Sequence, residues 1–329
     1  MKRIISLLMA VVMCLTLFAA CGKSESGSKG PITVSSAGAT EHQLVAYLYG
    51  YALEDAGYVP GTDFPVITGQ DAELAAIKNI KAGKQSMTAF LDANELVKIV
   101  VPLVNDLLAG SVDITPDYVG TAYTRYMIND PMYDAAEMER IVREFYAENH
   151  KVALLTPSTV DSNYCIVMMK EQAEAMGIKT FQDLQQNAEK IVFGDWGFLA
   201  MPTTGRSRIE DLFGPFNFEK VMDIDFSLGF DMLDNGSCDA IIGITTDAKL
   251  SDPKYVCLEQ GVEVWCRYYQ APFVRQEILD KYPEVENIIN NISAGLDTDS
   301  IIAMNYKCNV EMQEVETVAR EFYDANFKK

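Results

Sequence analysis

From residue 31 onward, short apolar runs alternate with segments whose apolar positions recur three and four residues apart. The first pattern suits buried strands, the second amphipathic helices. Ile32-Thr33-Val34 predicts a short strand. Thr40, with Gln43 three residues on, predicts a capping box. Leu44, Tyr47, Leu48 and Tyr51 then share one helical face, and Gly57 ends the helix. Two further helices are predicted over 71–82 and 93–108, the second crossed by Pro102. Asp134 with Glu137 caps a helix that is apolar at Met138, Ile141, Val142 and Phe145. A new unit starts near residue 152, with a strand over 152–155 and a helix over 164–175. Thr180 with Asp183 caps a short helix. Strands follow over 191–193, 239–244 and 255–258, the middle one behind the turn Asn235-Gly236. Helices are expected near 275–281 and 283–293, after Thr298, and through Val315, Val318 and Phe322. Alternating short strands and helices define an α/β architecture.

The first thirty residues follow different rules. Lys2 and Arg3 precede an uncharged, largely apolar run, Ile4 to Ala20, of 17 residues. It ends at Leu17-Phe18-Ala19-Ala20-Cys21, a pattern of export. The cysteine behind small residues resembles a bacterial lipoprotein signal, which makes 1–20 a signal peptide and Cys21 a lipid anchor. Residues 21–30, rich in Ser, Gly and Lys, read as a flexible tether. The chain has 329 residues, enough for about two domains. Its formal charge is −20. A surface of that sign repels nucleic acid, which excludes a backbone-reading role.

Candidate chemistry is sparse. There is no Gly-x-Ser-x-Gly elbow and no phosphate loop. The two histidines, His42 and His150, read as surface residues, and no metal site or cofactor is expected. Of seven cysteines, Cys14 leaves with the signal and Cys21 is the anchor. Cys165, Cys238, Cys257, Cys266 and Cys308 remain, with buried free thiols preferred over a Cys257–Cys266 disulfide. Aromatic residues are more telling. Tyr118, Tyr123 and Tyr126 follow Pro116-Asp117; Tyr164 follows Asp161-Ser162-Asn163; Trp196 and Phe198 follow a strand; Trp265, Tyr268 and Tyr269 precede Pro272. Such faces can hold a quaternary ammonium ion by cation–π attraction. A ligand carboxylate could meet helix N-terminal amides, Arg206 or Arg208.

These motifs, in this order, resemble the substrate-binding lipoproteins of glycine betaine/carnitine/choline ABC transporters. The resemblance rests on Thr40-Glu41, on Asp113 to Thr121 (DITPDYVGT), on Asn163-Tyr164 and on Lys179 to Leu184 (KTFQDL). It also rests on Asn235-Gly236 running to Thr246-Asp247, on Lys281-Tyr282-Pro283-Glu284 and on Met304-Asn305-Tyr306. It implies a type II periplasmic-binding-protein fold, two lobes joined by a two-strand hinge with the ligand cleft between them. Lobe 1 is then 31–153 plus 244–329, and lobe 2 is 154–243. It implies no enzyme, but a monomeric receptor that captures a quaternary ammonium solute and delivers it to an ABC permease and its cytoplasmic ATPase. The receptor stands lipid-anchored at the outer face of the bacterial membrane. Tyr118, Tyr164 and Tyr268 match ammonium-cage positions, and Thr40, Asn163, Trp196, Thr246 and Asp247 join them as expected ligand-binding residues. Ile244 stands where the family often has a cage tyrosine; Trp196, Trp265 or Tyr269 could supply the missing face. Residues 57–108 instead resemble a segment of xylose- and multiple-sugar-binding periplasmic proteins, through Val66 to Glu73 (VITGQDAE) and Ala82 to Thr88. A sugar receptor, an exported α/β enzyme and a structural lipoprotein therefore stand as alternatives.

Overall fold

The computed structural model describes residues 28–36, 39–60 and 112–328, together with 66–67, 69–70, 88–89 and 107. In chain order its main elements are α1 (Thr40–Asp55), β1 (Ile114–Tyr118), α2 (Ala135–His150), β2 (Val152–Leu154), β3 (Tyr164–Met169), α3 (Lys170–Met176), α4 (Phe181–Asn187), β4 (Val192–Asp195), α5 (Arg206–Phe213), β5 (Lys220–Asp223), α6 (Gly229–Asp234), β6 (Ala240–Ile244), β7 (Tyr255–Cys257), β8 (Gln270–Arg275), α7 (Gln276–Lys281), α8 (Glu284–Ala294), α9 (Thr298–Asn309) and α10 (Val315–Asn326). The signal segment, Cys21 and the predicted helix over 71–82 lie outside the described residues. Of the helix over 93–108, only position 107 is described.

Two sheets organise the chain. The first has the order β1-β8-β2, with β8 antiparallel to both neighbours. The second has the order β5-β4-β6-β3-β7. In it β4 runs parallel to β5 and β6, whereas β3 runs antiparallel to β6 and β7. The central strands of each sheet are buried on both faces, whereas the edge strand β5 is largely exposed. In the second, Ile166 and Met168 enter one core with Phe193, Ala240 and Ile242. The alternate residues Cys165 and Val167 enter another with Ile241 and Phe230. Around the first sheet, α1, α8, α9 and α10 cover one side through Leu44, Leu48, Ile289, Ile301 and Val318. On the other side, α2 packs through Met138, Val142 and Tyr146.

The double burial explains one correction. The run beginning at Tyr164 is strand to Met169 and helix only from Lys170. A strand apolar on both faces carries no alternation and imitates a buried helix. A second correction concerns the lobe boundary. β7 pairs with β3 in the second sheet, and Leu258, Val264 and Trp265 pack in its core. The second lobe therefore extends past residue 243, and the chain returns through the segment before β8.

Helix starts were the most legible feature. Asp134 accepts the Glu137 N–H at 3.0 Å. Thr180 with Asp183, and Asp297 with Ser300, form reciprocal capping boxes. Thr40 differs. It is the first residue inside α1, behind Ala39, and its hydroxyl donates to Asn309 Oδ1 at 3.0 Å rather than capping.

The two crossovers are tied to each other. Asp161 accepts the Tyr268 N–H at 2.7 Å and the Arg267 guanidinium at 2.9 Å. Asn163 donates to the Cys266 carbonyl at 3.1 Å. After the cavity-bearing end of β1 the chain makes one turn, Val119–Thr121, and a π-helical turn, Ala122–Tyr126. Ile128 follows at φ 57°, with its side chain 85% exposed. A β-branched residue is strained there, whereas asparagine tolerates the left-handed region. Ile128→Asn is expected to stabilise the protein by about 1 kcal/mol. The check is a higher urea midpoint at unchanged m-value.

Candidate functional site

The C-terminal end of β1, the start of α1 and both crossovers meet around a cavity of about 310 Å³. β1 supplies Thr115 to Tyr118, α1 supplies Glu41 and His42, and the π-helical turn supplies Arg125 and Tyr126. Ser162, Tyr164, Ile244 and Tyr268 close it. Gly120 explains the tyrosine-x-glycine-threonine spacing. A Cβ there would stand 2.6 Å from the Arg267 carbonyl and 2.8 Å from the Tyr268 ring. Only glycine lets that ring lie against the backbone.

Two carboxylates anchor the wall. Glu41 Oε1 accepts the Tyr118 hydroxyl, in a very short contact, and the Ser162 hydroxyl at 3.1 Å. Glu41 Oε2 is buried with no hydrogen-bond partner among the described residues. Asp117 accepts the Tyr118 N–H at 2.7 Å and the Tyr126 hydroxyl at 3.0 Å. Burial pushes the Asp117 carboxyl above the usual carboxylate range, opposed by the nearby His42 and Arg125 and by its hydrogen bonds. Burial and Glu41 together push the Tyr118 phenol far upward, so it stays a neutral donor. The His42 ring stands edge-on to Tyr118, with centroids 4.9 Å apart. Both its nitrogens are buried without a hydrogen bond among the described residues.

A second cavity, of about 360 Å³, adjoins the first and shares Glu41 and Ile244. Thr40, Thr246 and Asp247 line it, with Phe226, Lys249, Asn305 and Val310. Asp247 caps the following turn through the Lys249 N–H, and burial raises its carboxyl.

The eight expected ligand residues thus divide. Tyr118, Tyr164 and Tyr268 share the first cavity; Thr40, Thr246 and Asp247 share the second. Asn163 and Trp196 line neither. Asn163 is 4% exposed and spent on the hinge. Trp196 donates to the Ile242 carbonyl at 3.1 Å and packs beside Phe226 and Phe198. Trp265 is 1% exposed in the second-lobe core, its N–H on the Thr204 carbonyl at 2.8 Å. The ring that joins the three tyrosines beside Ile244 is Tyr126. Arg206 and Arg208 are also elsewhere, holding Phe216, Glu263 and Val264 carbonyls. Arg125 is the guanidinium that lines the cavity. The sequence singled out none of Arg125, Asp117 and Glu41 as a ligand-binding residue, and His42 read as a surface residue. The one available signal was their closeness to Tyr118 and to Thr40.

All five described cysteines are free thiols. The closest pair is Cys165 with Cys257, Sγ to Sγ 3.4 Å, not Cys257 with Cys266. The sugar-like residues Gln70 and Asp71 lie where no side chain is described.

The fold and the family have counterparts among known proteins. The family described as the substrate binding domain of ABC-type glycine betaine transport systems matches residues 93–325. A glycine-betaine-binding protein of Pseudomonas aeruginosa is 29% identical over 225 residues, 65% of this chain and 72% of the relative. A multiple sugar-binding periplasmic protein of Azospirillum brasilense is 44% identical, but over only 64 residues, 19% of this chain and 18% of that one. A crystal structure described as a glycine betaine/carnitine/choline ABC transporter superposes with a TM-score of 0.73 at 16% identity, covering 89% of this chain and 98% of that one. The fold is the two-lobed type II periplasmic-binding-protein fold. With its family matched over most of its length, the chain belongs to the substrate-binding domains of ABC-type glycine betaine transport systems.

Proposed function

We propose that the chain is the extracytoplasmic receptor of an ABC importer and that it holds a quaternary ammonium solute in the first cavity. The observation that carries this reading is the convergence of Tyr118, Tyr126, Tyr164 and Tyr268 with two carboxylates on one cavity between the lobes. Aromatic faces attract an alkylated cation and offset part of its desolvation cost, and closure of a dry cleft strengthens that attraction. The trimethylammonium group stands among the rings, with Ile244 giving methyl contact. A betaine carboxylate points to Arg125 and His42. The receptor works by population shift, since only the closed form places both lobes on the ligand. Its partners are a membrane permease and the ATPase that drives it. Cys21 anchors the mature chain by lipid, and residues 22–30 hold it away from the membrane.

Alanine in place of Tyr164 or Tyr268 is expected to weaken tetramethylammonium binding about three- to thirtyfold by titration calorimetry, whereas phenylalanine retains most of it. Gly120→Ala weakens it through the displaced Tyr268 ring. A response to xylose with none to glycine betaine or choline would replace this reading with a sugar receptor.

The buried carboxyl of Asp117 sets a pH dependence. Its raised pKa means that the cavity gains a negative charge only as pH climbs through that elevated value. Affinity for tetramethylammonium is expected to rise over the same window and to be flat in Asp117→Asn. The sign for folding is opposite. The protonated form is favoured in the folded state, so this group's contribution is fullest below the usual aspartate pKa and is lost as pH rises through the folded value. Finally, Cys21→Ser is expected to abolish palmitate labelling and release the protein from the membrane fraction. Persistent labelling would overturn the anchor assignment.

A further inference from the structure

Outside the cleft, one side chain of the second lobe rests on the first. Arg208, on α5, donates Nε to the Val264 carbonyl at 2.7 Å and Nη2 to the Glu263 carbonyl at 2.8 Å. Its neighbour Ile209 is buried in the second-lobe core, which fixes the helix. The guanidinium is therefore a rigid arm, and it lies 3.9 Å from the centroid of the Tyr133 ring. Tyr133 belongs to the first lobe, immediately before Asp134, the N-cap of α2. Neither residue lines either cavity.

The segment holding Tyr133 also serves the cavity. Arg125 and Tyr126 line the cavity from the π-helical turn, strained Ile128 follows, and the same chain reaches Tyr133. π-helical turns and left-handed β-branched residues are sparsely populated and persist where surrounding contacts hold them. Ligand contact at one end and the guanidinium at the other hold a single short segment.

We propose that Arg208 and Tyr133 form a clasp between the lobes, a positioning pair that sets the open–closed equilibrium and so scales affinity for every ligand without choosing among them. The proposal rests on the reading of this chain as a closing receptor. A stacked guanidinium on a half-buried tyrosine shifts such an equilibrium by about three- to tenfold. Where the closed form is already substantially populated without ligand but stays below about half, the apparent dissociation constant of each ligand moves by close to that factor and the mean radius of the ligand-free protein moves with it.

The test compares the purified mature protein with Tyr133→Ala, Tyr133→Phe and Arg208→Lys. Tyr133→Ala leaves both carbonyl bonds of Arg208 in place and removes only the ring. Titration calorimetry with tetramethylammonium and with glycine betaine is expected to show equal weakening, about three- to tenfold, in Tyr133→Ala. Tyr133→Phe keeps wild-type affinity because the face remains, and Arg208→Lys behaves like Tyr133→Ala. Small-angle scattering without ligand is expected to give a larger radius of gyration for Tyr133→Ala. Unchanged affinity and radius in Tyr133→Ala, or weakening for one ligand alone, overturns the clasp. If the wild type binds neither ammonium, the cage assignment fails while scattering still decides the clasp. If Tyr133→Ala is unfolded by circular dichroism, Arg208→Lys, which keeps the charge but loses the flat stack, carries the comparison.

Discussion

The half-buried carboxylate of Glu41 is the constraint on which the site depends. It stands in the first turn of α1, where the helix dipole favours a negative charge. Its Oε1 receives hydroxyls from Tyr118 at the end of β1 and Ser162 on the first crossover. One oxygen thereby joins three segments that are far apart in sequence. A partly desolvated carboxylate is costly unless such donors reach it. That requirement fixes the Tyr118 ring beside the N-terminus of α1 and brings the crossover to the same point. The remaining oxygen, Oε2, is buried next to the tyrosine faces without a partner among the described residues.

The hinge obeys the same logic. Asp161 meets the second crossover through a backbone N–H and an arginine, and Asn163 meets it through a carbonyl. Polar side chains on one crossover are satisfied by backbone groups of the other. The Tyr268 N–H is one of these donors, so a ring that lines the first cavity stands directly beside the bonds between the crossovers.

Much of this was legible in the sequence because capping chemistry and two-lobe connectivity are local or ordered features. Asp134, Thr180 and Asp297 announce their helices by side-chain oxygens that need only the next three residues. That Tyr118, Tyr164 and Tyr268 stand together on one cavity was reachable through motif order. The strand at Tyr164 was not, because burial on both faces erases alternation. Nor was the exclusion of Trp196 and Trp265, since an indole behind a strand reads alike whether it faces a cleft or a core. Their N–H groups find the Ile242 and Thr204 carbonyls inside the second lobe, and that partner choice is tertiary. Arg125 was hidden for a different reason. It lies on a π-helical turn, and that geometry turns it toward the cavity in a way no helical or strand periodicity encodes.

The overall charge of −20 and the carboxylates of the cavity act at different ranges. At physiological ionic strength the surface field decays over about 8 Å, so it can draw cations toward the protein but cannot distinguish them. Discrimination has to come from groups that touch the solute. Glu41, Asp117 and Arg125 all line the cavity, and burial favours the proton-bound form of Asp117, which removes one negative charge from that wall. Charged and aromatic groups on the cavity wall, rather than the acidic surface, are therefore where any discrimination among solutes has to arise.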